Sequence, residues 1–472
     1  MRHAAIASSV LSLAAAGLLA GCPDRSISEV DPAQGRVEFK DIPVNVNRNI
    51  DILFMIDDSP SMGDKQTNLA ANFPEFIKVL STIPGGLPNV HIGVVTSDLG
   101  SKGADGMIAP SVGTCSGFGK AGNLQLFGAP VTDGNVYISD LGLPDGSRQV
   151  NYSGTLTDAF KMMANAGAGG CGFEQHLEAV KQALQPSNAA NRTFLRDDAF
   201  LAVIIIADED DCSMAHTTML GPDSGALGPR QSFRCTQFGV LCDVNGSTPN
   251  AMDQVSAKSQ CHPNDNSPYL TNVADYAKFL KGLKTDPSKV IVAGIMGTTE
   301  PFATELRAPP GSMTKIPALA HSCTYIGGDG KPEVADPPIR MKFFLDQFPN
   351  RSTFAPICQQ DLSGGLQQIG DLLKTVIGDP CIEGKLADVD PTTAGPQYDC
   401  SVSTVAPGQE EKIMPQCPAN LGAATDPPCW HLVTDPMSCP NSDHFTLTIE
   451  RKTALVLDTH VIANCVTEVT NN

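Results

Sequence analysis

Residues 54 to 62 read FMIDDSPSM. The apolar run that begins at Leu53 predicts a buried strand, and the run ends directly against two carboxylates and two hydroxyls. In a sheet of parallel strands, ligands bind at the carboxyl ends of the strands. The stretch therefore predicts a core strand together with a polar site at its end.

Apolar runs with the length of strands recur along the chain, at residues 51–56, 90–96, 201–206 and 290–296. Segments with helical periodicity follow them, at residues 65–83 (with a kink expected at Pro74), 173–184, 273–283 and 366–377. The run LAVIII at 201–206 is apolar throughout, which is typical of a strand covered on both faces. This alternation predicts an α/β fold, a doubly wound and mostly parallel sheet.

Composition divides the chain into four segments. They are a signal peptide (1–21), a polar tether (22–47), the α/β domain (48–378) and a small disulfide-rich β module (379–472). Within the α/β domain we expect two long, disulfide-bearing insertions, near residues 97–165 and 213–270. In the last module, residues 444–450 and 454–464 are predicted to be strands.

The apolar N-terminal segment ends in Leu19-Ala20-Gly21-Cys22. The segment is too short to span a bilayer, and its end resembles the lipobox of bacterial lipoproteins, whose cysteine becomes the lipidated N-terminus. The alternative is ordinary secretion with a chance cysteine. We expect lipidation at Cys22 and a lipid-anchored protein of the cell envelope, at the outer membrane on its periplasmic or surface face.

The chain has 15 cysteines. Apart from Cys22, eight fall between residues 115 and 358 and six between 381 and 465, so both subsets are even. In a chain with a signal peptide this predicts two separately closed sets of disulfides. Zinc at Cys261-His262, or at His321 with Cys323, is the lesser alternative because the chain has no CxxC pair and no HExxH helix.

The formal net charge is −19, and it becomes −20 when residues 1–21, which contain one Arg and no acid, are removed. Such an acidic surface repels phosphate backbones, which argues against nucleic acid as a partner. It favours cations and basic ligands.

Three of the predicted strands end in oxygen ligands. Asp57 to Ser61 follows the first strand, Ser97-Asp98 the second, and Ala207 to Asp211 the third. We interpret Asp211 as part of a solvated acidic loop. Hard divalent cations prefer carboxylate and hydroxyl oxygens. The strand ends therefore predict a site for Mg²⁺ or Ca²⁺, with Mn²⁺ as a third option.

Asp57-x-Ser59-x-Ser61, after a strand and before an amphipathic helix, resembles the metal-ion-dependent adhesion site (MIDAS) of von Willebrand factor A (VWA) domains. Asp208 matches that family's distal aspartate, and the resemblance covers roughly residues 48–378. It implies that the two serines ligate the cation directly, that the two aspartates act mainly through water, and that a protein partner's carboxylate completes the shell. With the lipobox and the Cys-rich tail, the chain resembles bacterial VWA lipoproteins.

One loop departs from the family pattern. The family has a threonine before the helix that we expect near Phe173, whereas this chain has Gly170-Cys171-Gly172. A disulfide-bonded Cys171 cannot replace a hydroxyl, and sulfur suits Mg²⁺ poorly. Glu174 or Asp98 could supply the missing oxygen, and either would shift the preference toward Ca²⁺. The alternative is a degenerate site without a cation.

A structural alternative to the cation site stays open, because Asp57 with Ser59 could simply cap the helix that follows. The expected function is adhesion or surface-complex assembly through a divalent cation, with a metal-free envelope scaffold as the rival and a metal-assisted hydrolase using Asp57, Asp98 and Asp208 third. We expect that the protein is not an enzyme, since its sequence has no GxSxG elbow, no GxxxxGK[ST] loop and no evident general base.

Replacing Cys22 by alanine (Cys22→Ala) should abolish incorporation of a clickable fatty acid and release the protein from membranes, because the thiol that would carry the lipid is gone. Gel fluorescence and membrane fractionation measure the two effects. Ser26→Ala is the matched control and should stay labelled. Continued labelling of Cys22→Ala would contradict the lipobox assignment.

Overall fold

The computed structural model describes most of the chain from residue 36 onward. The described residues are 36–43, 48–83, 86–143, 146–309, 311–377, 382, 385–390, 392–405, 409–418, 428–434, 443–451 and 460–468. The predicted signal peptide and the lipobox with Cys22 lie outside them. Among the described helices, none has the length and apolar character needed to cross a membrane.

The secondary structure is mixed. The described strands are β1 (Arg36–Pro43), β2 (Asn49–Ile56), β3 (Asn89–Thr96), β4 (Ile138–Gly142), β5 (Arg148–Val150), β6 (Phe200–Ile206), β7 (Val240–Val244), β8 (Ser256–Pro263), β9 (Val290–Met296), β10 (Phe302–Arg307), β11 (Ile316–Leu319), β12 (Cys323–Ile326), β13 (Pro332–Ala335), β14 (Ser352–Pro356), β15 (Cys400–Val405), β16 (Lys412–Met414), β17 (Cys429–Thr434), β18 (Phe445–Glu450) and β19 (His460–Thr467). The described α-helices are α1 (Gly63–Ser81), α2 (Leu156–Ala164), α3 (His176–Leu184), α4 (Phe233–Gly239), α5 (Pro249–Met252), α6 (Val273–Lys281), α7 (Ile339–Asp346) and α8 (Ser363–Ile377). Short 3-10 turns occur at Pro60–Met62, Thr217–Leu220 and Pro287–Lys289.

A seven-stranded sheet with the order β14-β9-β6-β2-β3-β4-β5 forms the centre of the α/β domain. The first five strands in this order are parallel, and β4 and β5 extend the sheet antiparallel. The parallel strands include all four that the apolar runs predict. The predicted α/β class with a mostly parallel sheet is therefore confirmed.

Helices cover both faces of this sheet. Successive side chains of each strand point to opposite faces, so an apolar strand buries side chains on both. Phe54 of β2 packs in one core, where its ring lies 4.7 Å from that of Phe160 in α2 and 6.1 Å from that of Phe73 in α1. Its neighbour Met55 packs in the second core, together with Leu177 of α3. Burial on both faces explains why the strands read as continuous apolar runs.

The two predicted insertions contribute strands and helices to the domain. Residues 97–165 contribute β4, β5 and α2 to the central fold. Residues 213–270 contribute β7 and β8, which join β10 and β11 in a separate four-stranded sheet. The β10–β13 segment is a third insertion. The periodicity of apolar residues did not indicate it, because its strands are only four to six residues long.

The C-terminal strands form a sheet with the order β1-β19-β15-β16 and a β17–β18 hairpin. Residues 36–43 of the predicted tether are strand β1, which pairs along its whole length with β19, from Arg36 opposite Thr467 to Pro43 opposite His460. This part of the chain is therefore not a tether. Its partner lies at the other end of the sequence, so no local pattern could indicate the pairing.

Six disulfides occur among the described residues. They are Cys115–Cys171, Cys212–Cys235, Cys242–Cys261, Cys323–Cys358, Cys400–Cys465 and Cys417–Cys429. The eight cysteines between 115 and 358 thus pair with one another, as predicted; Cys381 and Cys439 lie outside the described residues. Because Cys261 and Cys323 are disulfide-bonded, neither zinc alternative has its thiolate.

Candidate functional site

The polar residues that follow the first and third predicted strands lie at one edge of the central sheet. β2 is paired with β3 on one side and β6 on the other, so the three carboxyl ends are adjacent. The backbone N–H of Asp57 donates to the carbonyl of Ile206 at 2.9 Å, which joins the first strand end to the third. Parallel pairing therefore brings Asp57 and Asp208 to the same edge.

Asp57 is fully buried and both its carboxylate oxygens are occupied. Oδ1 accepts hydrogen bonds from the backbone N–H of Ser59 (2.8 Å) and the hydroxyl of Ser97 (3.1 Å), and Oδ2 lies 3.3 Å from Nε2 of His176. Burial alone would raise the pKa of Asp57, but the hydrogen bond and charge of His176, with the Ser59 and Ser97 contacts, hold it below its usual value. The carboxylate therefore stays ionised inside the protein.

The two serines of the motif face each other. Their hydroxyl oxygens, Oγ of Ser59 and Oγ of Ser61, are 3.2 Å apart. Neither the 3-10 turn that begins at Pro60 nor α1 has a side-chain cap, and the N-cap residue of α1 is Met62. The Asp57 carboxylate stabilises the turn by accepting the N–H of Ser59. The interpretation of Asp57 and Ser59 as helix caps is not supported, because neither forms a capping hydrogen bond to α1.

Asp208 forms a buried ion pair that sequence reasoning missed. Its Oδ2 lies 3.0 Å from Nζ of Lys65, which also donates to the carbonyl of Ser61 (3.0 Å) and to Oε2 of Glu333 (3.1 Å). Oδ1 of Asp208 is buried and accepts no hydrogen bond from the described residues. Burial and then the Asp57 charge raise the pKa of Asp208 to about 6, and Lys65 and Ser61 oppose that rise.

Glu174 adds a second buried carboxyl group beside Asp208. Its side chain is 2 % exposed, and burial, followed by the charges of Glu209 and Asp57, raises its pKa well above the usual value. The pKa of Glu209 is likewise well above its usual value, because of burial and then the charges of Asp336 and Asp208. Among the described residues, carboxyl groups therefore outnumber cations at this edge.

Asp98 lies apart from this cluster. Its Oδ1 accepts the backbone N–H of Gly100 at 2.8 Å, and its charge acts on Asp58, which forms an ion pair with Lys120. Of the two predicted replacements for the missing threonine oxygen, Glu174 lines the same cavity as Ser61 and Asp208. The geometry thus places Glu174 with the motif and Asp98 to one side.

The loop that lacks the threonine is fixed by covalent and steric constraints. Cys171 forms a disulfide, as the sequence led us to expect, and its partner is Cys115. The N–H of Gly170 donates to the carbonyl of Asp58 at 2.8 Å, and a Cβ at Gly170 would collide with the Asp58 carboxylate. The backbone of this loop therefore packs directly against the motif.

The interpretation of Asp211 as part of a solvated loop is wrong. Asp211 is fully buried, and its Oδ2 lies 3.0 Å from Nη2 of Arg340. Its Oδ1 accepts the N–H of Leu177 (2.9 Å) and the hydroxyl of Ser213 (2.6 Å). The carboxylate ties the end of β6 to α3 and α7, a role that the acidic run alone could not reveal.

Sequence reasoning overlooked Lys65 and His176, which are buried basic residues of the site. Lys65 follows Ser61 by four residues, one helical turn, and this spacing is a usable signal. His176 begins α3 directly after the loop that lacks the threonine. Neither residue type is expected to be buried, so both resembled surface positions.

The donor atoms that converge at this edge of the sheet are all oxygens. No three His, Cys, Asp or Glu side chains among the described residues are grouped to hold a metal by themselves. Two hydroxyls and the carboxylate of Asp208 converge here, and Oδ1 of Asp208 is buried and accepts no hydrogen bond within the described ranges. Such an all-oxygen set suits a hard cation such as Mg²⁺ or Ca²⁺.

Comparison with known proteins gives distant likenesses. No family model and no curated protein matches the chain. Among solved structures, a von Willebrand factor type A protein from Catenulispora acidiphila is 10% identical with a TM-score of 0.29 over 93% of this chain and 66% of its own. The pilus adhesin RrgA from Streptococcus pneumoniae is 12% identical with a TM-score of 0.28, over 92% and 58%.

The type V pili tip protein Mfa5 from Porphyromonas gingivalis, represented by three N-terminal domains, is also 12% identical with a TM-score of 0.28, over 93% of this chain and 69% of its own. This chain spans less than two thirds of the first two structures.

Lys65→Met should lower the free energy of unfolding by about 3–5 kcal/mol, because it leaves the Asp208 carboxylate buried without its ammonium partner. Urea unfolding in EDTA measures the loss. The double variant Lys65→Met/Asp208→Asn should recover part of it, since the uncompensated charge is then removed.

The control for this experiment is Lys78→Met on the same helix. Lys78 forms an exposed pair with Glu75 at 3.1 Å, and such pairs contribute less than about 1 kcal/mol. A cost for Lys65→Met no larger than that for Lys78→Met would show that the buried pair does not hold the site together.

Proposed function

We propose that this chain is a cell-envelope protein whose VWA-like domain binds a protein partner through a divalent cation, in adhesion or in the assembly of a surface complex. One observation carries the proposal. The hydroxyls of Ser59 and Ser61 meet at 3.2 Å beside Asp208, whose Oδ1 is buried and accepts no hydrogen bond from the part of the chain that the structure describes.

In this proposal the residues of the site have separate tasks. Ser59 and Ser61 offer their hydroxyl oxygens, and Asp208 offers Oδ1 while its Oδ2 stays with Lys65. Asp57 holds the turn and contributes its negative charge. A bound divalent cation would supply an electrophilic position that a carboxylate of the partner can complete.

The position of Glu174 bears on the choice of cation. Glu174 lines the same cavity as Ser61 and Asp208, so it can contribute the oxygen that the missing threonine would have supplied. An additional carboxylate adds charge and denticity, which favours Ca²⁺ over Mg²⁺. We therefore propose Ca²⁺ as the first candidate, followed by Mg²⁺ and Mn²⁺.

The setting that we propose is the envelope, with the lipid on Cys22 as the membrane attachment. The described disulfides support an oxidising compartment outside the cytoplasm. The net charge of −19 supports a partner that is not a nucleic acid.

A metal-free envelope scaffold remains the rival function, and Lys65 is the observation that favours it. Its ammonium group already lies 3.0 Å from Asp208 and supplies one positive charge to the cluster. In a scaffold, this charge together with the His176–Asp57 pair would stabilise the strand ends. The two functions differ in their response to added cations.

A divalent cation (Ca²⁺, Mg²⁺ or Mn²⁺) present at about 100 times its dissociation constant should stabilise the wild-type protein by about 2.7 kcal/mol. The reason is that the cation binds only the native state. Asp57→Ala and Ser61→Ala should each abolish this gain. Calorimetric titration gives the dissociation constant, and thermal unfolding with and without cation gives the stabilisation. Ser81→Ala, at an exposed serine of α1, is the control and should respond like the wild type.

Two results would contradict the cation function. If no cation binds the wild type, the scaffold is the better account. If Asp57→Ala lowers stability by about 0.5–2 kcal/mol equally with and without cation, its role is confined to the local turn.

A further inference from the structure

The ammonium group of Lys65 lies between two carboxylates that differ in exposure. Its Nζ is 3.0 Å from Oδ2 of Asp208, whose side chain is 2 % exposed, and 3.1 Å from Oε2 of Glu333, whose side chain is 21 % exposed. A third contact, of 3.0 Å, goes to the carbonyl oxygen of Ser61. The ammonium group therefore contacts the end of β6, the motif turn and the β12–β13 hairpin at the same time.

Two of these contacts are with residues of the proposed cation site. Asp208 and Ser61 are both offered there as ligands, and the hydroxyl of Ser61 is 3.2 Å from that of Ser59. A positive charge of the chain itself thus lies next to the ligand set. Two positive charges repel each other, and burial strengthens the repulsion because the surroundings screen it poorly. A divalent cation at Asp208 and the Lys65 ammonium group therefore disfavour each other.

Glu333 offers the ammonium group a second position. Nζ of Lys65 already lies 3.1 Å from Oε2 of Glu333, so it can leave Asp208 without becoming an unpaired buried charge. A lysine side chain has four flexible methylene groups, which makes such a short movement possible without a change in the backbone. The contacts of Lys65 thus include both a position beside the proposed cation and a position away from it.

The hairpin that carries Glu333 is attached to the same end of α1. The hydroxyl of Tyr325 donates to Oδ2 of Asp64 at 2.7 Å, and the N–H of Gly328 donates to Oδ1 of Asp64 at 3.0 Å. Lys65 follows Asp64 directly in the chain. A change in the contact between Lys65 and Glu333 therefore acts on a hairpin that already packs beside the site.

We propose that Lys65 is an internal competitor of the divalent cation and links cation binding to the β12–β13 hairpin. Without a cation, its ammonium group supplies the positive charge beside Asp208. When a cation binds, the ammonium group moves towards Glu333 and holds the hairpin more firmly. The inference rests on the proposed function and describes the regulation of that same site. Lys65 is a positioning residue in this account, since it does not ligate the metal.

A purely structural role for Lys65 leads to the opposite expectation. If Lys65 only holds the turn and the strand end in place, its loss should disorder the proposed ligands and weaken cation binding. If Lys65 competes with the cation, its loss should strengthen cation binding. The direction of the change in affinity therefore separates the two roles.

The test is calorimetric titration of the full-length protein with Ca²⁺, Mg²⁺ and Mn²⁺ in turn. Lys65→Met should bind its preferred cation about ten- to hundredfold more tightly than the wild type does, because the competing charge is gone. In thermal unfolding, that cation should restore much of the stability that Lys65→Met loses in EDTA. Glu333→Gln should bind the cation about tenfold more weakly, because the ammonium group loses its alternative partner.

The matched controls are Lys331→Met and Asp329→Asn, at the tip of the same hairpin. These two residues form an exposed ion pair of 2.7 Å, so the variants remove the same kinds of charge without touching Lys65. Both should bind the cation as the wild type does.

Hydrogen exchange measures the effect on the hairpin. A saturating cation should slow the exchange of the paired amides of β12 and β13 in the wild type, and it should fail to do so in Glu333→Gln. The amides of the β17–β18 hairpin serve as the internal control and should not respond.

Equal or weaker cation binding by Lys65→Met would overturn this inference and leave the cation function intact. If Lys65→Met does not fold, Glu333→Gln decides, and cation binding as tight as that of the wild type would overturn the inference. If no cation binds either the wild type or Lys65→Met, both proposals fail. Binding by Lys65→Met alone would support the competition, since the ammonium group then excludes the cation from the wild type.

Discussion

The buried ion pair between Lys65 and Asp208 holds the strand-end site together. Lys65 belongs to the first helix and Asp208 to the end of β6, so a contact of 3.0 Å joins two elements that are far apart in sequence. The same ammonium group reaches the carbonyl of Ser61 and the carboxylate of Glu333. Because buried charges are costly without partners, this one cation restricts the positions of the turn, the strand end and the β12–β13 hairpin.

Segments inserted between the strands of the central sheet surround this ion pair. The β12–β13 hairpin supplies Glu333, and it is attached to the start of α1 by a 2.7 Å hydrogen bond between the hydroxyl of Tyr325 and Oδ2 of Asp64. The disulfide Cys323–Cys358 links the hairpin to the segment that follows β14. A rigid parallel sheet thus provides the motif, and cross-linked loops provide the walls that a partner would contact.

Much of the central sheet could be predicted from the sequence, because strands buried on both faces are apolar throughout and stand out locally. The position of Asp57, Ser59 and Ser61 at the end of a core strand could likewise be predicted, since they follow such a run directly. Asp208 was recognisable for the same reason. These features depend on short stretches of sequence and on the rule that parallel strands share an edge.

What could not be predicted depends on long-range contacts. The pairing of β1 with β19, the Lys65–Asp208 pair and the Asp211–Arg340 pair each join residues that are far apart in the chain. Short strands such as β4 and β5 carry too few residues for a clear period. A charged residue in a loop looks solvated until its buried partner is known, which is why Asp211 was misread.

The central claim is that the strand-end hydroxyls and Asp208 form a cation site. An anomalous difference map from crystals grown with Mn²⁺ tests it most directly. The account predicts a peak between the hydroxyls of Ser59 and Ser61, on the side of Oδ1 of Asp208. No peak at this position, or a peak only between Glu174 and Glu209 in the adjoining cavity, would contradict it.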